Sequence, residues 1–144
     1  MQMTYSDAGL TLTQTFEGCR LMPYKDGGGV LTNGYGNTHD VTDGLEITQE
    51  QAEADLIRNI QSAVHTVNSS VTVDLTQGQF DSCVDFVFNL GSGSFRNSTL
   101  LKRLNQGDYD GACSELAFWV HNAGKICPGL QRRREAEQKQ WEVA

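Results

Sequence analysis

Residues 19–47 hold six glycines, at positions 27, 28, 29, 34, 36 and 44, and no helical periodicity, whereas the chain from Thr48 onward reads as one helix after another. Glycine weakens helix interiors and suits tight turns, so this segment cannot continue the helices that flank it. Asp26-Gly27 and Asn33-Gly34 are turn dipeptides around the short runs Val30-Leu31-Thr32 and Tyr35. They predict a small, irregular antiparallel sheet.

The flanks have a different period. Before the glycine-rich segment, Ala8, Leu12 and Phe16 recur at four-residue spacing, with Ser6 or Asp7 as N-cap and Gly18 at C′. That predicts a short amphipathic helix over about 6–17. After it, Thr48-x-x-Gln51 is a capping box, followed by a stripe of Ala52, Leu56, Ile60, Ala63, Val64 and Val67. A long helix over about 48–67 is expected. Thr76-x-x-Gln79 repeats the box ahead of Phe80, Cys83, Val84, Val87 and Phe88. Phe86 and Leu90 lie off that stripe, so this helix should be buried on most sides, and Gly91-Ser92-Gly93 should stop it. Shorter helices are expected over about 98–105, 109–121 and 129–141, the last with Pro128 just before it. The fold class is α+β: a small antiparallel β lobe (about 18–47) and a larger helical lobe (about 75–144, with the N-terminal helix), joined by the 48–67 helix in one domain over 1–144. Ligand clefts favour such lobe junctions.

Composition removes several function classes. A length of 144 residues with 38% hydrophobic side chains supports a full core. No run of 18 apolar residues occurs, which argues against membrane insertion, and the first seven residues lack the basic flank and apolar run of a signal peptide. The net charge of −7 argues against a nucleic-acid binder, which needs a basic face to displace counterions. Arg132-Arg133-Arg134 accordingly reads as a solvated helix face. Cys19, Cys83, Cys113 and Cys127 form no C-x-x-C pair, and His39, His65 and His121 supply no zinc spacing. The thiols are expected to be free and mostly buried, the histidines to lie in turns or at the surface, and Trp119 and Trp141 to be core. No metal and no cofactor is implied.

Chemistry can sit where the glycine-rich segment begins. Glu17 ends a helix, Asp26 stands nine residues on in a turn, and Thr32 six further in a short strand. The helix dipole and neighbouring Phe16 both disfavour an ionised Glu17, which suits a general acid. Asp26, in a wetter turn, should stay ionised and could act as a base. Two carboxyl groups held in opposite protonation states are what glycoside hydrolysis requires. With 18 acidic residues in the chain, however, the spacing alone is commonplace.

Longer motifs supply the missing weight. Phe16-Glu17-Gly18-Cys19-Arg20-Leu21, Tyr24-x-Asp26 and Gly29-Val30-Leu31-Thr32-x-Gly34-Tyr35-Gly36 resemble the phage-type lysozymes, glycoside hydrolase family 24. Phe88-Asn89-Leu90-Gly91, Phe95-x-x-Ser98-Thr99-Leu100-Leu101, Leu104-Asn105-x-Gly107-Asp108-Tyr109, Trp119-Val120 and Gly129-Leu130-x-x-Arg133-Arg134 are similar to that family's helical lobe. The match is collinear from about residue 8 to 141. The resemblance implies a lysozyme-like fold and cleavage of the β-1,4 link between N-acetylmuramic acid and N-acetylglucosamine in peptidoglycan. It implies Glu17 as the acid that protonates the leaving oxygen, and Asp26 with the Thr32 hydroxyl as holders of the attacking water. Asn89 and Phe88 become candidate glycan contacts, and an Arg of the 132–134 run a candidate neighbour of Glu17.

Two departures from the family pattern stand out. Asn37 follows the Gly-Tyr-Gly turn where His is usual, and Asn33 replaces a β-branched apolar residue. Both are expected to loosen the β lobe. The resemblance further implies a monomeric endolysin made in the host cytoplasm, reaching the wall once a holin or another route opens the membrane. The alternatives are a lytic transglycosylase, in which a sugar hydroxyl replaces water, and a non-catalytic peptidoglycan-binding or virion protein.

Overall fold

The computed structural model describes residues 2–144. It divides into two compact units, one formed by the chain up to Gly9 together with Ser62–Ala144, the other by Leu10–Gln61. Seven helices and two small antiparallel hairpins make up the described residues.

Helix α1 (Asp7–Glu17) begins where Ser6 Oγ accepts the Gly9 amide at 3.1 Å, and ends where Gly18, at φ 68°, donates back to the Gln14 carbonyl. Its buried positions correct the predicted stripe. Ala8 is exposed, while Gly9 and Thr13 are buried and Leu12 and Phe16 half-buried. Close approach explains the rotation: a Cβ on Gly9 would come within 2.9 Å of the Tyr5 ring and the Asp81 carboxyl.

In the Leu10–Gln61 unit, β1 (Arg20–Lys25) pairs antiparallel with β2 (Leu31–Gly34), Tyr24 opposite Thr32 and Arg20 opposite Gly34, with the register shifting between. The chain then reverses tightly through Gly34-Tyr35-Gly36, with Asn33 and Asn37 exchanging backbone hydrogen bonds of 2.9 and 2.8 Å. The expected loosening by Asn33 and Asn37 is overturned here. Both are buried, and the Asn37 amide nitrogen donates to Asn33 Oδ1 and to the His39 carbonyl, at 3.0 and 2.9 Å. Its oxygen accepts from Asn59 Nδ2, Arg58 Nη2 and the His39 amide at 3.0–3.3 Å. A primary amide offers two donors and an acceptor with two lone pairs; Asn37 directs its donors inside the turn and uses its oxygen to tie the turn to Arg58 and Asn59 of the helix that follows.

Helix α2 (Gln49–Ser70) is capped by Thr48 Oγ1, which accepts the Gln51 amide at 3.1 Å, and runs three residues past the expected end. In the other unit, Thr76 forms both halves of its capping box, and α3 (Gln77–Leu90) is buried along Gly78 and Phe80–Val87. After Gly91 come α4 (Ser92–Arg96), α5 (Thr99–Asn105) and α6 (Tyr109–Glu115). The helix expected to reach 121 stops at Glu115 and tightens into a 3₁₀ turn over Leu116–Phe118. An unforeseen hairpin follows, β3 (His121–Asn122) and β4 (Lys125–Ile126), turning through Ala123 and Gly124 at φ 52° and 79°. Helix α7 (Pro128–Trp141) opens with proline in its first turn.

Phe80, Phe86, Phe95, Leu100, Leu104 and Leu116 are fully buried among these helices, each contributing about 1.5–3 kcal/mol of transfer free energy. Phe86 meets Trp119 edge-on at 5.3 Å and Phe95 at 6.1 Å. Trp141 is buried, and Trp119 is half-buried rather than full core. All three histidines are exposed. The four cysteines are unpaired, but only Cys83 is buried; Cys19, Cys113 and Cys127 are half-exposed, against the expected burial.

Arg133 and Arg134 correct the reading of a solvated arginine face. The inward period of α7 runs through Arg133, Arg134, Glu137 and Trp141, all buried. Arg133 grips Asp85 of α3 with Nε–Oδ2 at 2.9 Å and Nη2–Oδ1 at 2.8 Å. Arg134 pairs with Glu137, Nε to Oε1 at 2.7 Å. Of the run, Arg132 alone is solvated.

Candidate active site

The carboxyl candidates of the Leu10–Gln61 unit all attach to one hairpin. Helix α1 delivers Glu17 at its last residue, half-buried, with Oε1 3.2 Å from where a Cβ on Gly36 would stand. Gly36 has φ 73°, so both its backbone and its contact with the carboxylate call for glycine. A side chain here would press on the Glu17 carboxyl and shift it by a few tenths of an ångström.

Asp26 sits in the β1–β2 turn. Its Oδ1 accepts the amides of Gly28 and Val30, each at 2.9 Å, and its own amide donates to the Val30 carbonyl. This Asx-type clasp fixes the carboxylate and leaves Oδ2 without a partner among the described residues. Thr32, 3% exposed, donates its hydroxyl to that same Val30 carbonyl at 2.9 Å. The hydroxyl proton is thereby occupied and the Oγ1 lone pairs are left to accept. Asp26 and Thr32 are thus organised around one residue, Val30, which sequence spacing did not reveal.

Phe88 and Asn89 are half-buried in the last turn of α3, in the helical unit. Asn89 Oδ1 accepts from Arg134 Nη2 at 2.6 Å. Arg133 and Arg134, considered as neighbours of Glu17, hold Asp85, and Glu137 with Asn89, respectively. Burial first, and the adjoining Asp85 second, push the Glu137 carboxyl well above the usual carboxylate range. Burial likewise pushes the Cys83 thiol up, which keeps it protonated and unreactive.

Glu17 at a helix end and Asp26 on a fixed turn, with the Thr32 hydroxyl organised around the same Val30, are a candidate pair of carboxyl groups for glycoside hydrolysis. The family model described as phage lysozyme matches residues 14–137, and the chain belongs to that family. It is a glycoside hydrolase. The chain is 44% identical to an endolysin of Acyrthosiphon pisum secondary endosymbiont phage 1, over 99% of this chain and 100% of that protein. It is 41% identical to a SAR-endolysin of Bacteriophage PS119, over 84% of this chain and 73% of that protein. Among solved structures, the muramidase domain of SpmX from Asticaccaulis excentricus superposes with a TM-score of 0.92 at 33% identity, covering 98% of this chain and 99% of that one.

Proposed function

We propose that Glu17, Asp26 and Thr32 carry out the reaction that makes this chain an endolysin, hydrolysis of the β-1,4 link between N-acetylmuramic acid and N-acetylglucosamine in peptidoglycan. Glu17 gives its proton to the leaving oxygen. A water held between Asp26 Oδ2 and Thr32 Oγ1 donates one proton to each, turns its lone pair to the anomeric carbon, and transfers the first proton to Asp26 as the new bond forms. Delivery of water opposite the leaving group inverts the anomeric centre. The Asp26–Val30–Thr32 clasp carries this reading: it leaves free one carboxylate oxygen and one hydroxyl lone-pair face, the two acceptors that a water nucleophile needs.

A lytic transglycosylase has no use for such a pair, because the sugar's own hydroxyl attacks. A silent wall-binding protein has no use for either carboxyl group. The substrate is the glycan strand, the chain acts as a monomer, and no nucleic acid is involved. As the family resemblance implies, it is made in the host cytoplasm and meets the wall once a holin or another route opens the membrane.

Purified wall fragments treated with wild type and with Glu17→Gln test the reading. Wild type should clear them and release reducing ends with uptake of one water per cut, seen by mass spectrometry. Glu17→Gln should be slower by about 10²–10⁴-fold, the range for loss of a general acid. Anhydro-muramyl ends, or equal clearing by both proteins, would defeat it.

A further inference from the structure

One face of α2 carries the turn that touches Glu17. Residues three and four apart on a helix share a face, and Gln49, Ala52, Asp55 and Asn59 keep that spacing. Gln49 Nε2 donates to the Tyr35 hydroxyl at 2.8 Å, a Cβ on Gly34 would stand 3.3 Å from Ala52 Cβ, and Asn59 Nδ2 donates to Asn37 Oδ1 at 3.0 Å. Three of the four positions thus hold the turn directly. The fourth is a carboxylate, 5% exposed, on a helix that otherwise buries Ala52, Leu56 and Ile60. A buried carboxylate is costly unless paired, and the partner found here points at the turn. Asp55 Oδ1 accepts from Gln51 Nε2 and from Arg58 Nη1, each at 2.9 Å, and the same guanidinium reaches Asn37 Oδ1 through Nη2 at 3.3 Å. The Arg58 side chain is 50% exposed, so without Asp55 it would swing into water.

We propose that Asp55 is a positioning residue for the cleavage reaction: it aims Arg58 at Asn37, and Asn37 holds the 33–37 turn where Gly36 meets the Glu17 carboxyl. The chain of contacts lies within the Leu10–Gln61 unit, from Asp55 through Arg58 and Asn37 to the Asn33–Asn37 backbone pair that closes the turn. Glu17 Oε1 lies close against Gly36, so a drift of this turn changes the direction in which the proton is offered. Proton transfer to a leaving oxygen depends on that direction and on distance. Asp55 itself is buried away from any sugar, so its effect belongs in turnover rather than in binding. The inference rests on the reading of Glu17 as the acid and adds the residue that holds it in place.

Asp55→Leu and Asp55→Asn separate this role from a structural one. Leucine suits the apolar stripe of α2, and exchange of a buried charge for an apolar group is often neutral or stabilising. Arg58 can then turn to solvent, so fold and melting temperature should survive. Asparagine keeps the one oxygen, Oδ1, that accepts both bonds. On soluble glycan strands of alternating N-acetylmuramic acid and N-acetylglucosamine, Asp55→Leu should lower kcat about tenfold and leave KM within about twofold. That loss is short of the roughly 10²-fold that follows a misplacement of about 1 Å. Asp55→Asn should restore kcat to within about threefold of wild type. In the Glu17→Gln background, where there is no acid to aim, the residual rate should not respond to Asp55→Leu. Unchanged kcat in Asp55→Leu, a raised KM in its place, no recovery with asparagine, or the same loss in the Glu17→Gln background overturns the proposal. Glu17→Gln as fast as wild type removes the reading of Glu17 itself and the proposal with it, so the two failures are told apart.

Discussion

The two units differ in how much charge they bury. In the Leu10–Gln61 unit the carboxyl groups offered for chemistry are reachable, Asp26 exposed and Glu17 half-buried; the one carboxyl buried there is Asp55, held by Arg58 at 2.9 Å, beside the buried amides of Asn33 and Asn37. In the helical unit Asp81, Asp85, Arg133, Arg134 and Glu137 are buried and matched to partners. Perturbed titration is a common guide to functional sites, yet here the most displaced carboxyl, Glu137, locks two helices and an asparagine. Displacement caused by burial in a paired cluster marks architecture; a reactive carboxyl must remain open to a substrate and to water. The comparison makes separate demands on each unit, and variants can probe them one by one.

The largest stability effect should come from the helical unit. Arg133→Met leaves Asp85 buried with its two short hydrogen bonds to Arg133 removed, and loss of one partner of a buried pair costs about 3–5 kcal/mol. Adding Asp85→Leu should recover most of that, because two apolar groups leave no uncompensated charge. Urea unfolding of the single and double variants measures both steps. A single variant within about 1 kcal/mol of wild type would mean that the helical unit does not depend on this pair, and the contrast between units would fail.

The smaller unit should respond less, and locally. Asn37→Ala removes hydrogen bonds to Asn33, His39, Arg58 and Asn59, and the stranded buried groups should cost about 1–3 kcal/mol. Hydrogen exchange should quicken at the amides of 33–39, which close the turn against Glu17, while α3 and α7 keep their protection. Uniform quickening across both units would show that the two do not open separately.

Much of this was legible in advance, for reasons that differ by element. The capping box at Thr76, the stripe of α2 and the glycine after Glu17 are local signals, and the chain folds locally as they dictate. The roles proposed for Glu17, Asp26 and Thr32 come from the motifs around them, since nine and six residues of spacing hold no chemical information. The buried face of α7 was not. Its stripe carries Arg133, Arg134 and Glu137 in place of apolar groups, and their partner Asp85 lies 48 residues from Arg133. Hydropathy sees each charge but not the pair that allows its burial. The Asn37 network escaped for the same reason: a substitution away from His looks like a loss until its four partners are seen. The β3–β4 hairpin has two residues per strand, too few for alternation to register, although Asn122-Ala123-Gly124 is a turn sequence that could have flagged it.

The proton on Glu137 sharpens the contrast further. Its folded carboxyl titrates above the ordinary 4.5, driven by burial and then by Asp85 and opposed by Arg134 and Arg133. Between those two values the folded chain holds more proton than the unfolded one, so stability falls as pH rises. The contribution is complete below 4.5 and is lost as pH rises through the raised value. The slope from one such group is at most about 1.4 kcal/mol per pH unit. Glu137→Gln, whose amide cannot ionise, should flatten the decline in unfolding free energy as pH rises above 4.5, whatever it does to the level. Parallel slopes in the two proteins would place the proton elsewhere.

The smallest effect concerns how the whole molecule meets its substrate. A net charge of −7 repels an anionic wall, and the reach of that repulsion shrinks from about 30 Å at 0.01 M salt to about 10 Å at 0.1 M. A basic patch on α7, formed by Arg132, Arg133, Arg134 and Lys139, could reverse the expectation by attracting the wall locally. The structure dismantles that patch, because Arg133 and Arg134 are buried against Asp85 and Glu137, leaving Arg132 and Lys139 as exposed cations on that helix with exposed Glu135 between them. Two scattered cations do not offset the net balance. Initial clearing rates on intact walls should therefore rise between the two salt levels, by less than about tenfold since only encounter is affected. Cleavage of a short neutral oligosaccharide should stay level over the same interval. A steady fall on walls alone would mean that an attractive surface outside α7 governs approach, and that the charge buried in the helical unit is not what decides how this lysozyme reaches the wall.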